Sequence, residues 1–144
     1  MLPGFVAFVL ISIAWLPTGT TRMASSGSPS IGVSRTAPCL QLRGRTIRWT
    51  WTEGPTTGVT HEHIFRSEGT VQWRVLNGPG KGHIAEEKEY RAHEVADNVC
   101  AVSYLAASGF TLTVVLNFET GRMFGFASGA EFWAPASGTF EFVP

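Results

Sequence analysis

His61-Glu62-His63 is the local pattern in this sequence whose residue types and spacing suit chemistry. On a β-strand, residues i and i+2 point the same way, about 7 Å apart at Cα. Two imidazoles so placed can share Zn²⁺, Fe²⁺ or Mn²⁺, with Glu68 or Glu87 completing an open-sided site. The same pair also reads as ordinary polar residues of a strand, lining a barrel wall or facing solvent. Trp49, Trp51 and Trp73 fall on apolar strand faces, where they either fill a core or wall a pocket for a ring-containing ligand. With His61, His63, Tyr90 and Tyr104 they are the candidate ligand-binding residues. Trp133, read as part of a loop, is placed to cover or plug a barrel mouth.

Motifs for catalysis are missing. There is no G-x-S-x-G, C-x-x-C, H-E-x-x-H or Walker A pattern. Gly78-Pro79-Gly80-Lys81-Gly82 lacks the Ser/Thr and the following helix of a phosphate loop, so it is a turn. No catalytic residue and no cofactor is called for. The reading leans away from an enzyme.

These side chains need elements to position them, and the composition limits which. The 144 residues suffice for one domain with a core. Charged residues make up 15%, against about 25% in an average soluble domain. Eleven basic and eleven acidic side chains balance, which argues against nucleic acid and anionic membrane as partners. Leu2 to Leu16 is an apolar run, short for a membrane span and better suited to a signal peptide. The expectation is a signal peptide over residues 1–26, a flexible linker over 27–39 and a domain over 40–144. That makes the protein secreted, with no membrane contact after cleavage, as a monomer or homodimer. A start at Met23 would make it cytoplasmic instead. Secretion would permit a Cys39–Cys100 disulfide, whereas Cys100 alone reads as a small buried residue.

Within the domain, period-2 alternation dominates. Strands are expected at 46–51, 59–66, 70–76, 83–95, 98–105, 110–118, 122–128 and 138–143. The run Glu86 to Glu89 offers a helix start, but the alternation of Tyr90, Ala92 and Glu94 favours a strand. Turn residues recur every 8–12 positions. The fold class is therefore all-β, an antiparallel up-and-down barrel of eight or nine strands, closed to avoid open edges.

Several stretches carry a resemblance. They include Gly44-Arg45-Thr46, Gly69 to Val75, Asn77 to Gly82, Glu89-Tyr90-Arg91-Ala92, Gly109 to Phe118 and Thr120-Gly121. Over about residues 42–142 the chain resembles a MoaF-like domain of the calycin group. The resemblance implies a lipocalin-like barrel holding a small apolar or aromatic molecule in its lumen. It names a fold and not a chemistry. A more distant resemblance links the middle of the chain to phenolic acid decarboxylases, but Trp49 and Trp51 replace the two first-strand tyrosines. Ala106 replaces the glutamate, and no arginine equivalent lies near Gly80-Lys81-Gly82. That family's mechanism is not expected here. The histidine spacing also resembles the cupin pattern in part, and departs from it at Val75, where a glycine is expected.

Overall fold

A computed structural model describes residues 37–144. The signal-peptide reading and residues 27–36 of the linker reading lie outside the described residues. All nine described elements are strands: β1 (Arg45–Glu53), β2 (Thr60–Phe65), β3 (Val71–Val75), β4 (Ile84–Glu87), β5 (Tyr90–Ala96), β6 (Val99–Leu105), β7 (Thr111–Asn117), β8 (Arg122–Ser128) and β9 (Trp133–Val143). They form one antiparallel sheet in the order β4-β3-β2-β1-β9-β8-β7-β6-β5. The sheet curls into a half-barrel. The last strand pairs with the first, Trp49 opposite Phe140, so the long-range closure is a backbone ladder, with one register shift between Trp51 and Glu53.

The opening lies between β4 and β5, neighbours in sequence that form no ladder with each other. The local chemistry explains this. A two-residue hairpin loop takes a type I′ or II′ turn and needs residues at positive φ, whereas the four-residue β8–β9 loop turns without one. Glycines at positive φ sit in the connections after β1, β2, β3, β6 and β7, and Asn98 serves between β5 and β6. Lys88-Glu89 supplies no such residue. The chain turns a corner there and passes from one sheet edge to the other. The stretch 83–95, expected as a single strand, is therefore two.

Alternation places one face of every strand inward. Ile47, Trp49, Phe65, Val71, Val102, Val114 and Leu116 are among its fully buried members. Two inward glycines permit the tight curl. A Cβ at Gly125 would collide with the Thr113 carbonyl, and one at Gly138 with the Thr50 carbonyl.

Two expectations need correction. β9 begins at Trp133 and not at Gly138. Its early half reads as loop because Pro135 lacks an N–H, yet there β9 pairs only with β8, Phe126 opposite Pro135, before reaching β1. Trp133 is thus no lid. It is 68% exposed and leans on Phe126 of the outer face. The linker also ends sooner than expected. Cys39 N–H donates to Ala92 O (3.1 Å) and Glu94 N–H to Ala37 O (2.8 Å), so residues 37–39 cover the open edge of β5. Cys39 is joined to Cys100 of β6 by a disulfide, with Cα atoms 5.9 Å apart. Leu42, fully buried, anchors the arm in the core.

Candidate functional site

β1, β2 and β3 bring Trp49, Trp51, His61, His63 and Trp73 to one inward face, through the pairs Trp49–His61, Ile47–His63 and His63–Trp73. β5 and β6 bring Tyr90 and Tyr104 opposite each other on the facing wall. All seven sequence-predicted residues therefore share the concave side of the sheet.

Their contacts differ. His63 lies against Trp49, ring centroids 3.6 Å apart, and is fully buried. Its Nε2 meets the Tyr104 Oη across the interior at 3.0 Å. His63 Nδ1 and Trp49 Nε1 are buried without a partner. A buried lone pair left unpaired is less costly than a buried N–H, so the proton belongs on Nε2 and His63 donates to Tyr104. Burial, reinforced by the neighbouring His61, pulls the His63 imidazole well below its usual range. It is therefore neutral. Trp51 Nε1–H donates to His61 Nδ1 at 3.1 Å, which puts the His61 proton on Nε2. Burial pulls that imidazole down to about 4.

The His61 and His63 rings stand 6.1 Å apart. Among the described residues no three of His, Cys, Asp and Glu converge as a metal-holding group. Glu87, one of the side chains considered as a further ligand, is engaged elsewhere. It is only 3% exposed. One carboxylate oxygen accepts from Trp73 Nε1 (3.0 Å) and the other from the Ala107 backbone N–H (2.8 Å). Glu87 thereby ties edge strand β4 to the β6–β7 turn across the seam.

Further stitches cross the same seam. Tyr90 N–H donates to Gly69 O (2.8 Å), and the Tyr90 hydroxyl donates to Arg66 O (3.2 Å). Beside these stitches the seam opens as a cleft of about 750 Å³, within the usual range for small-molecule sites. Glu87, Tyr104, Leu105, Ala106 and Ala107 are among its mostly apolar lining. Burial first, and the Glu87 charge second, push the Tyr104 hydroxyl far up, so it stays protonated. With His63 donating to its oxygen, Tyr104 keeps its own O–H for whatever occupies the cleft.

Of the seven predicted residues only Tyr104 lines this cleft. Tyr90 lines a smaller hollow beneath the arm. Trp49 and His63 are core. The residue that sequence reading undervalued is Glu87. Its one visible signal was a carboxylate in phase with the inward positions Val71 and Trp73 of the neighbouring strand.

Comparison with known proteins follows the fold. No curated protein matches this chain. A crystal structure of a candidate beta-lactamase from Burkholderia vietnamiensis superposes with a TM-score of 0.62 at 19% identity, covering 71% of this chain and 95% of that one. That likeness establishes the shared fold. The sequence profile of the MoaF N-terminal domain matches residues 28–131, well over half of the chain. The profile spans β1 to β8 and the covering arm, and on that match the chain belongs to the MoaF N-terminal domain family.

Proposed function

We propose that this protein is an exported binding protein that takes a small molecule with an apolar or aromatic body into the seam cleft, without catalysing its conversion. The observation that carries the reading is the cleft itself, about 750 Å³ with a wall mostly apolar by area, into which the Tyr104 hydroxyl and the Glu87 carboxylate reach and around which the further polar side chains Glu86, Lys88, Glu89, Arg91, Ser103 and Thr111 stand. Apolar walls supply affinity, and a few fixed polar groups supply orientation. The interior between β1 and β3 is filled by Trp49, His63 and Phe65, so the ligand sits at the seam and not among the tryptophans. The Cys39–Cys100 bond fits an oxidising compartment, which supports export.

The test is titration of the full chain with N-phenyl-1-naphthylamine, a neutral apolar fluorophore. Saturable one-to-one enhancement is expected. It should be lost in Ala107→Trp, which sets an indole at the mouth of the cleft, while the far-UV spectrum stays unchanged. Unsaturable enhancement, or equal binding by the variant, would remove the cleft from the proposal.

A further inference from the structure

Two glutamates are buried in this fold, and they are treated differently. Glu62, 5% exposed on the outer side of β2, is held by Arg74 at 2.7 Å and Arg48 at 3.1 Å. That is the ordinary condition of a buried carboxylate, because charge removed from water must be compensated. Glu87 is at least as buried, at 3%. Its two partners, the Trp73 indole and the Ala107 backbone amide, are neutral. Among the described residues no cation stands within ion-pair distance of it.

Building on the cleft as a binding site, we propose that its ligand is an organic cation: a protonated primary amine on a small apolar body, whose ammonium pairs with Glu87. Three further observations support this class. Each Glu87 oxygen accepts a single hydrogen bond, which leaves lone pairs for an ammonium donor. Arg91 is paired with Glu89, and the three carboxylates Glu86, Glu87 and Glu89 outnumber the two cations Lys88 and Arg91, so the lining keeps one net negative charge. Tyr104 stays neutral and adds no charge of its own to the cleft. A carboxylate ligand would instead meet Glu87 at close quarters and be repelled. An uncharged ligand of the same shape would bind by its body alone.

The deciding experiment compares three ligands of one shape by calorimetry on the full chain: benzylamine, benzyl alcohol and benzoate. Benzylamine should bind roughly tenfold or more tightly than benzyl alcohol, because a charge-assisted hydrogen bond is much stronger than a neutral one. Benzoate should bind least. In Glu87→Gln the ratio of amine to alcohol affinity should fall close to one. Should that variant fail to fold, the wild-type comparison decides alone. Equal affinity for amine and alcohol, with the neutral fluorophore still binding, would overturn the amine and leave the cleft standing. Failure of the fluorophore and of all three ligands would overturn both.

Discussion

The half-barrel has two junctions of opposite character. At one, β1 and β9 lie far apart in sequence yet meet in a ladder that is in register from Thr46–Val143 to Trp51–Gly138 and resumes, after a bulge, at Glu53–Ser137. At the other, β4 and β5 are separated by two residues yet form no ladder. The first is held by backbone bonds over a buried aromatic core. The second is held by side chains reaching across, Glu87 to Ala107 and Tyr90 to Arg66, with the Cys39 arm laid along the exposed edge. The difference teaches that proximity in sequence decides less than turn chemistry does. Where a two-residue connection such as Lys88-Glu89 has no residue at positive φ, the hairpin does not close and the sheet stays open.

Three perturbations probe that contrast. The largest effect is expected at the closed junction. Trp49→Ala removes a fully buried side chain and should cost about 3–5 kcal/mol, measured by urea denaturation. A loss under about 1 kcal/mol would mean that the closed side is not the rigid half. A comparable effect belongs to the seam. Replacing Cys39 and Cys100 by Ser frees a closure of 61 residues and should cost about 4 kcal/mol on the chain-entropy account. Hydrogen exchange should quicken first at Glu94, whose N–H is held by the arm. Uniform quickening across all strands would contradict an arm that acts locally.

The smallest effect comes from acid. His61 and His63 titrate lower folded than unfolded, so over the intervening range the unfolded chain binds more protons and stability rises with pH. Their contribution is fully present above about 6.5 and is lost as pH falls toward 4. Melting temperature should fall through that window. His61→Gln, by removing one of the two titrating groups, should flatten the fall. A flat wild-type profile would show that the imidazoles are not held neutral by burial.

How much of this was legible in the sequence follows the same division. β1, β6 and β7 announce themselves because their alternation is unbroken, as in Ile47, Trp49 and Trp51. The break at Lys88-Glu89 was not legible, since the signal there is a missing turn residue inside a run that still alternates. β9 was shortened because Pro135 and the small residues around it imitate a loop, and only the neighbouring strands show why they are tolerated. The seven candidate residues were legible as one face. Which of them a ligand can reach was not, because the His63–Tyr104 contact spans strands that meet only after the sheet has curled. Glu87 reads like its neighbours Glu86 and Glu89 until its burial is known.

The β1–β9 ladder has a consequence in time. About eighty residues separate the end of β1 from the start of β9. At 5–20 residues per second, synthesis takes roughly 4–16 s to cross that gap. Until β9 has emerged, β1 can have only one of its two neighbours, and its free edge carries Ile47, Trp49 and Trp51 beside it. An unpaired edge bearing large apolar side chains invites pairing with another chain. This protein therefore passes through an aggregation-exposed interval in the seconds before its last strand arrives, when the β1 edge is unpaired.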